Sequence, residues 1–419
     1  MAAPRILVVP GGTSIGAVAL ANASIHKLVE LYEERAADPN HPAPHTVVFV
    51  RDPAKVPPAT LRGSAATPEQ AFPEEDYPGL ANHIKNDPHF FDGVDLVLST
   101  SGSSAGKPRL VGLSTDALMA SVKATELALD GPGRWILALP THHIAGAMIL
   151  VRAAVAGTNP QVVDTTNGFH PRDLLPAIKG VTQDDMPGYL SLVPTQLVQC
   201  LDADEEVLEA LRSLSAILVG GAAISQHLLE RALNAGLKVR ITYGMTETAG
   251  GCVYDGEPMP GITVRAVDWD GRTRLAFNGP TLMTRYLDAD SPFFEEGGQR
   301  WMVSGDMGVI RASGKVEVSG RADDVIISGG LSIAPGPLRR AARSYEGISD
   351  AWILGTPDEK WGQIVTALVV PHQMPSDSLE MAELGSAVRE HAAAHIGRAQ
   401  APRRVVAVTE LPYLGFDKI

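Results

Sequence analysis

The 419-residue chain has little cysteine, a deficit of positive charge and no long apolar run. Its two cysteines, Cys200 and Cys252, exclude a disulfide scaffold and a structural zinc site built mainly of cysteine. They are predicted to be free thiols of a reducing compartment, which favours a cytoplasmic protein. No run of about 18 uncharged apolar residues occurs, which argues against a membrane-spanning helix. Residues 5–21 are interrupted at 10–12 by proline and glycine, so they indicate a strand, a turn and a helix rather than a signal peptide.

The charge balance is acidic, with 35 Lys and Arg against 48 Asp and Glu and a formal net charge of −13. This balance disfavours a nucleic-acid binder or an anionic-membrane binder, but it allows a local basic pocket for a phosphorylated ligand. Hydrophobic residues make up 45% of the chain and charged residues 20%, which is typical of a globular protein. The length predicts two or three domains.

Strands alternate with helices over the first 260 residues, which predicts an α/β fold with a largely parallel sheet. Residues 52–90 are rich in Pro, Asp and Glu and are expected to form a surface excursion. The predicted strands are 6–9, 45–50, 94–98, 135–139, 191–193, 216–219 and 239–242, and the predicted helices are 14–35, 115–129 and 225–236.

The pattern changes after residue 260, where short apolar runs alternate with turns as in antiparallel hairpins. We therefore predict a large N-terminal domain of α/β layers with a β-rich subregion, and a small C-terminal α+β domain over about the last 95 residues. The hairpin strands are 263–267, 274–277, 309–312 and 315–318; the C-terminal elements are helices 335–345 and 378–396 and strands 350–355, 364–370 and 404–408.

A loop of small and hydroxyl residues, STSGSSAGKPR at 99–109, follows the strand predicted at 94–98. Small residues let backbone N–H groups turn toward phosphate oxygens, and Lys107 and Arg109 add positive charge. The loop differs from the Walker P-loop in its glycine spacing, and Pro108 stands where that motif needs Ser or Thr. The segment predicts a phosphate site, with a flexible surface loop as the alternative.

Three further motifs follow this loop along the chain, in this order: YGMTET at 243–248, Gly305-Asp306, and GRADDVIISGG at 320–330. Together the four motifs resemble the adenylate-forming superfamily of acyl-CoA synthetases, firefly-type luciferases and peptide-synthetase adenylation domains. The resemblance runs from about residue 94 to the end of the chain. It implies an AMP-forming acid–thiol ligase that uses ATP, Mg²⁺ and coenzyme A.

The resemblance also implies an ATP site. In that family the Ser/Gly loop binds the β- and γ-phosphates of ATP. By the resemblance, residues 220–222 of this chain would line the adenine and Tyr243 would stack on it. Asp306 would accept hydrogen bonds from the ribose, with Arg321 binding nearby. Ala105 departs from the usual loop pattern, which makes the loop shifted or one residue longer. The implied ATP-binding residues are Ser101, Gly102, Ser103, Ser104, Gly106, Lys107, Gly220, Gly221, Ala222, Tyr243, Gly244, Met245, Thr246, Asp306, Arg321 and Lys418.

The catalytic residues implied by the resemblance are Lys418, Thr246, Glu247, Arg321 and His143. Thr246 would bind a phosphate oxygen and Glu247 would hold the metal, in keeping with the preference of Mg²⁺ for hard oxygen ligands and few carboxylates. Lys418 would bridge the acyl carboxylate and the α-phosphate, with a solvated tail lysine as the alternative.

A second half-reaction is implied by the segment that follows. Asp323 occupies the family's hinge position, so the resemblance implies an N-terminal domain of residues 1–322 and a mobile C-terminal domain of residues 323–419 that would rotate about this hinge. A strand over 326–333, with Gly329 and Gly330, would then line the channel for the coenzyme A thiol.

The acyl group is indicated by HHIAG at 142–146, LVPTQL at 192–197 and VGGAA at 219–223, which resemble the o-succinylbenzoate–CoA ligases of menaquinone biosynthesis. This likeness implies His143, Thr195 and Gln196 beside the acyl substrate, although packing at a helix N-terminus is the alternative for the last two. The adjacent histidines 142 and 143 are expected to face opposite ways on a strand.

Other readings stay open from the sequence. The enzyme could activate another aromatic or aliphatic acid, or load a carrier-protein thiol. It could be a non-catalytic ligand-binding relative, or the glycines of GGTSIG at 11–16 could mark a dinucleotide oxidoreductase, although a lone glycine cluster is weak. A homodimer is also left open.

Overall fold

The computed structural model describes residues 4–38, 45–56, 65–100, 108–322, 324–329 and 331–411. The described residues form two compact units, one of 4–100, 108–263 and 277–302, the other of 264–276 and 303–411. The predicted fold class, a large α/β part with a smaller C-terminal α+β part, is confirmed. The domain boundary at 322/323 stays a prediction.

The elements alternate as the sequence pattern predicts. The helices are α1 Ile15–Ala37, α2 Pro68–Ala71, α3 Leu80–Asn86, α4 Thr115–Ala128, α5 Ile144–Val155, α6 Leu174–Val181, α7 Pro194–Leu201, α8 Glu205–Arg212, α9 Gln226–Asn234, α10 Pro335–Arg343 and α11 Ser378–Ile396. The strands are β1 Arg5–Pro10, β2 Thr46–Arg51, β3 Leu96–Ser99, β4 Leu110–Leu113, β5 Arg134–Leu137, β6 Gln161–Val162, β7 Gly188–Leu192, β8 Ala216–Val219, β9 Val239–Met245, β10 Gly250–Tyr254, β11 Glu257–Pro258, β12 Thr263–Trp269, β13 Arg272–Asn278, β14 Arg285–Tyr286, β15 Phe293–Glu296, β16 Gln299–Val303, β17 Asp306–Ile310, β18 Val316–Arg321, β19 Ile326–Ser328, β20 Leu331–Ile333, β21 Ile348–Asp358, β22 Gly362–Pro371 and β23 Arg404–Ala407.

The first sheet of the large unit has the order β1-β2-β3-β4-β14. Strands β1, β2 and β3 are parallel, β4 is antiparallel to β3, and β14 is antiparallel to β4. Every residue of β2 is buried, as expected for a strand covered on both faces.

The surface excursion predicted for 52–90 is wrong for the described part of that segment. It contains α2 and α3, and Phe72, Leu80 and Phe90 are buried in the core beside the first sheet. The ring of Phe72 stacks on that of Phe49 with centroids 5.2 Å apart. The polar composition of the segment hid these apolar side chains, whose burial depends on contact with β2.

The second sheet of the large unit has the order β11-β10-β9-β8-β7-β5-β6. It is parallel from β6 to β9, and β10 and β11 are antiparallel additions. Helices α6 to α9 contribute buried side chains to one core cluster with strands β5, β7, β8 and β9. The carboxyl ends of these parallel strands are where an α/β sheet ordinarily binds its ligands.

The smaller unit contains the neighbouring strands β12 and β13, the antiparallel pair β17–β18, and a sheet of β19 to β23. Helices α10 and α11 pack on that sheet through buried residues such as Leu338 and Val388. The strand predicted over 326–333 is instead two short antiparallel strands, β19 and β20, because the chain turns back at Gly329 with φ +57.

Helix α11 has the bounds predicted from the sequence. The Asp377 carboxylate accepts hydrogen bonds from the N–H groups of Leu379 (2.8 Å) and Glu380 (2.9 Å), which satisfies the free donors of the first turn. Gly397, with φ +88, follows the last turn.

None of the helices in the described ranges has the length and apolar character needed to cross a bilayer. Neither Cys200 nor Cys252 forms a disulfide, and both are buried.

Candidate active site

The YGMTET motif ends β9 and continues into a tight 3₁₀ turn over Thr246–Thr248. The Thr248 hydroxyl accepts a hydrogen bond from the Met245 N–H (3.1 Å) and lies 2.8 Å from the Gly250 carbonyl oxygen, to which it donates. Ala249 is fully buried in the left-handed region at φ +50. Such strained residues persist only where the surroundings impose them, so this turn holds Thr246 and Glu247 in one conformation.

The Glu247 carboxylate is oriented by a tyrosine. Its Oε1 accepts a 2.8 Å hydrogen bond from the Tyr286 hydroxyl, and its backbone carbonyl accepts a 2.8 Å bond from the Met283 N–H. Among the described residues, nothing donates a hydrogen bond to its Oε2. One carboxylate with an available oxygen fits Mg²⁺, which is ordinarily held by one or two carboxylates together with substrate phosphates. Across the same ranges there is no cluster of three His, Cys, Asp or Glu side chains that could hold a metal alone.

Tyr286 was missed by sequence reasoning. It lies 39 residues from Glu247, and no local pattern links the two. Burial, and then the neighbouring Glu247 carboxylate, raise the pKa of Tyr286, so the phenol keeps its proton and acts as a donor. The Arg109 guanidinium lies over its ring, 5.1 Å from the centroid.

The segment predicted to line the adenine follows β8 at the carboxyl edge of the second sheet. Gly221 and Ala222 are exposed there, and Gly220 is half-buried. Tyr243, in the adjacent parallel strand β9, is half-buried and stacks on Phe277 with ring centroids 6.0 Å apart. Strand β9 also carries Gly244 and Met245 to the start of the 3₁₀ turn. The structure thus brings these predicted residues to one edge of one sheet.

The two adjacent histidines lie in a turn before α5, not on a strand as predicted. His143 is the N-cap residue of α5, and its ring centroid is 4.4 Å from that of His142. The prediction fails because Pro140 and Thr141 end the extended backbone before the histidines. Burial lowers the pKa of His142, which favours the neutral imidazole, and its Nδ1 has no hydrogen-bond partner among the described residues.

The glycine turn at the end of β1 packs against this histidine turn. Thr141 donates both its N–H and its hydroxyl to the Gly12 carbonyl oxygen, each at 3.1 Å. A Cβ at Gly11 would overlap the Cβ of His142, so only glycine fits. Close packing accounts for Gly11 and a φ of +107 accounts for Gly12, so this turn needs its two glycines without a bound dinucleotide.

The two residues predicted beside the acyl group differ in their surroundings. Thr195 is exposed in the first turn of α7. Gln196 is buried; its Oε1 accepts from the Val193 N–H (3.0 Å) and its Nε2 donates to the Ala138 carbonyl oxygen (3.2 Å). Gln196 thus makes packing contacts of the kind given as its alternative, and the place of Thr195 and Gln196 beside the acyl substrate stays a prediction.

In the smaller unit, Asp306 and Arg321 are opposite each other in the β17–β18 pair. Arg321 Nη1 lies 3.8 Å from Asp306 Oδ1, and Asp306 is only 8% exposed. The Asp306 N–H donates to the Ser304 hydroxyl at 3.1 Å. Asp306, predicted to bind the ribose, and Arg321, predicted nearby, therefore form an ion pair on one hairpin.

Gly329, predicted in the thiol channel, packs on Trp361. Its N–H donates to the Trp361 carbonyl oxygen (3.0 Å), and a Cβ at this position would overlap the indole ring. The Arg403 guanidinium lies 3.9 Å from the centroid of the same indole. Trp361 was also missed from sequence, because only the β19–β22 pairing brings it near Gly329.

Several predicted residues lie outside the described ranges. They are Ser101, Gly102, Ser103, Ser104, Gly106, Lys107, Asp323, Gly330 and Lys418.

A parallel sheet with Thr246 and Glu247 at its carboxyl edge, in a chain with a smaller α+β unit, is the arrangement expected of the adenylate-forming class of enzymes. A family model described as AMP-binding enzyme matches residues 14–287, and one described as AMP-binding enzyme C-terminal domain matches residues 340–414. The chain belongs to the AMP-binding enzyme family, which confirms the resemblance given by its motifs.

Curated relatives are similar in sequence over most of this chain. A probable 2-succinylbenzoate–CoA ligase of Mycobacterium tuberculosis is 38% identical over 333 residues, which cover 78% of this chain and 83% of that protein. A 2-succinylbenzoate–CoA ligase of Staphylococcus aureus is 27% identical over 368 residues, covering 84% of this chain and 70% of that protein.

Solved structures share the fold at low sequence identity. The o-succinylbenzoate CoA synthetase of Bacillus subtilis, in complex with its acyl-adenylate intermediate, aligns with TM-score 0.66 and 20% identity over 97% of this chain and 92% of that one. ATP-bound MatB of Rhodopseudomonas palustris aligns with TM-score 0.73 and 18% identity over 100% of this chain and 88% of that one.

Proposed function

We propose that the protein is an AMP-forming acid–CoA ligase that converts o-succinylbenzoate (2-succinylbenzoate) to its coenzyme A thioester, a step of menaquinone biosynthesis. The observation that carries the substrate is the 38% identity to the mycobacterial relative of that name, over 78% of this chain. The Thr246–Glu247 turn, with Glu247 held by Tyr286, supports the adenylating chemistry. We also place the enzyme in the cytoplasm and keep a homodimer as a prediction.

In the first half-reaction, a carboxylate oxygen of the acid attacks the α-phosphorus of ATP, and pyrophosphate leaves. The chain's part is to position the groups and to offset charge. Thr246 would donate its hydroxyl to a phosphate oxygen, and Glu247 would present Oε2 to the metal. Bound Mg²⁺ would supply positive charge on the phosphates. The loop residues Ser101–Lys107 would donate to the outer phosphates, and Lys418 would bridge the acid and the α-phosphate.

Nucleotide recognition is proposed for two further groups of residues. In the large unit, Tyr243 would stack on adenine beside the exposed backbone of 220–222. In the smaller unit, Asp306 would accept hydrogen bonds from the ribose hydroxyls, with Arg321 as the partner that holds its carboxylate.

In the second half-reaction, the coenzyme A thiol attacks the acyl carbonyl carbon. The new carbon–sulfur bond replaces the bond to the AMP oxygen, AMP leaves, and the thiol proton passes to solvent. Asp323 would serve as the hinge between the two half-reactions, and Gly329 and Gly330 would line the thiol channel. His143 would lie beside the acyl group.

The test is AMP release from purified protein with Mg-ATP and o-succinylbenzoate, with and without coenzyme A, beside a panel of other aromatic and aliphatic acids. Coenzyme A-dependent turnover with o-succinylbenzoate alone is the expected result. Turnover with another acid would overturn the substrate but keep the chemistry, and adenylation that yields no thioester with free coenzyme A would point to a carrier-protein thiol. Glu247→Gln is the matched inactive control.

A further inference from the structure

One short segment of the chain holds Glu247 at two points. The Met283 N–H donates to its backbone carbonyl and the Tyr286 hydroxyl donates to its side-chain Oε1, both at 2.8 Å. The segment is itself anchored, because β14 pairs with β4 through Arg285 and Tyr286. The backbone and the carboxylate of Glu247 are therefore both held by a segment that is fixed to β4.

Tyr286 has little freedom to point elsewhere. Its residue is only 9% exposed, its backbone pairs with Val111, and the Arg109 guanidinium covers its ring. A phenol fixed in this way is a donor of set direction. Because Oε1 accepts from that donor, the carboxylate can turn only by breaking a part-buried hydrogen bond to a charged group, which is among the stronger kinds.

We infer that Tyr286 is a positioning residue for the metal-binding carboxylate: its hydroxyl holds Glu247 Oε1 so that Oε2 faces the Mg²⁺–nucleotide complex. This inference rests on the proposed function, in which Glu247 meets the metal. Residues that orient a metal ligand commonly change metal affinity by about 10- to 100-fold when they are removed. Tyr286 is thus expected to act on the metal through Glu247 and not on the nucleotide directly.

The experiment measures metal binding rather than turnover. Mn²⁺, which accepts the same oxygen ligands as Mg²⁺, is titrated into the full chain with α,β-methylene-ATP, and free Mn²⁺ is followed by electron paramagnetic resonance. Tyr286→Phe keeps the ring under Arg109 and removes only the hydroxyl. It should weaken Mn²⁺ binding about tenfold while the metal-free affinity for the nucleotide analogue stays as in the wild type.

Tyr189→Phe is the matched control. Tyr189 is also a buried tyrosine, 1% exposed, whose hydroxyl donates to a carbonyl oxygen, that of Gly131, at 3.0 Å. Both variants lose a phenol hydroxyl and its hydrogen bonds and should lose thermal stability, but only Tyr286→Phe should lose metal affinity. An equal loss of metal affinity in the two variants would overturn the inference.

Variants at Glu247 separate the inference from the function beneath it. If Glu247→Gln weakens Mn²⁺ binding and Tyr286→Phe does not, Tyr286 is not a positioning residue, and the metal role of Glu247 stands. If Glu247→Gln leaves Mn²⁺ binding unchanged, the metal assignment itself is wrong. Glu247→Asp draws the carboxylate away from the Tyr286 hydroxyl, so adding Tyr286→Phe to it should cost no further affinity; a full additional tenfold loss would contradict the coupling.

Discussion

The Gln196 side chain closes the first turn of α7 on itself: its Oε1 accepts a 3.0 Å hydrogen bond from the N–H of Val193, the N-cap residue. Its Nε2 donates to the Ala138 carbonyl oxygen at the end of β5 (3.2 Å), so the amide also joins two neighbouring parallel strands, β5 and β7, at their carboxyl edge. Both polar atoms of the Gln196 amide are therefore bonded to the backbone of the large unit.

Gln196→Ala should therefore lower stability more than it alters acid selectivity. The substitution removes the hydrogen bonds that the side chain makes to the Val193 N–H and to the Ala138 carbonyl oxygen. Their loss should lower the free energy of unfolding by about 1–3 kcal/mol. Chemical denaturation measures the loss, and kcat/KM for a panel of acids measures selectivity. The exposed Thr195→Ala is the control for α7 itself. A change in the ranking of acids at unchanged stability would return Gln196 to the acyl site.

The packing of the glycine turn on the histidine turn predicts a steric effect at one glycine and not at another. Gly11→Ala should destabilise the large unit by about 1–3 kcal/mol, because its Cβ would overlap that of His142 in a close-packed region. Gly16→Ala, in the first turns of α1, meets nothing within 4 Å and should stabilise by up to about 1 kcal/mol through helix propensity. Urea unfolding of the two variants gives the comparison. Equal effects would mean that the two turns are not packed as described.

Some of this architecture could be predicted from the sequence, because the local signals agree with the tertiary outcome. Helix α11 combines an acidic N-cap, Asp377, with Gly397 just past its end, and both bounds were predicted. Strand β8 is a four-residue apolar run that is buried throughout, so its pattern needs no knowledge of its neighbours.

The misses share a physical cause, which is that the deciding contact is remote in sequence. Phe72 stacks on Phe49, and nothing in an acidic, proline-rich stretch reveals that partner. Tyr286 contacts Glu247 because β14 pairs with β4, which places the Tyr286 hydroxyl next to the turn that follows β9. The site motifs could be found because their residues are close in sequence; the residues that hold them in place could not.

The half-buried His142, whose Nδ1 is buried without a hydrogen-bond partner among the described residues, predicts a loss of stability on mild acidification. Burial lowers the pKa of His142, so the unfolded chain takes up this proton more readily than the folded chain does. The contribution of neutral His142 to the free energy of unfolding is therefore complete above about pH 6.5, the pKa of an ordinary histidine. This contribution declines as the pH falls toward the lowered pKa of the folded state. Urea midpoints measured across this range should fall less steeply in His142→Phe than in the wild type. A slope unchanged in His142→Phe would contradict the assignment.

The contact between Gly329 and Trp361 predicts a defect in the smaller unit that distinguishes the two half-reactions. Gly329→Ala pays for a left-handed conformation at φ +57 and also places a Cβ into the indole ring. Gly362→Ala is the matched control, because it sits at φ +72 in the same sheet but meets nothing within 4 Å. In both variants the left-handed backbone should lower the free energy of unfolding by about 1 kcal/mol. In Gly329→Ala the overlap of the new Cβ with the Trp361 ring should lower it by about 1–3 kcal/mol more. If the β19–β20 turn lines the thiol channel, Gly329→Ala should also slow transfer to coenzyme A from supplied acyl-adenylate while pyrophosphate release in the first step stays near that of Gly362→Ala. Rapid-quench measurement of the two steps decides the matter: equal slowing of both would remove Gly329 from the channel and leave it a packing residue of the sheet.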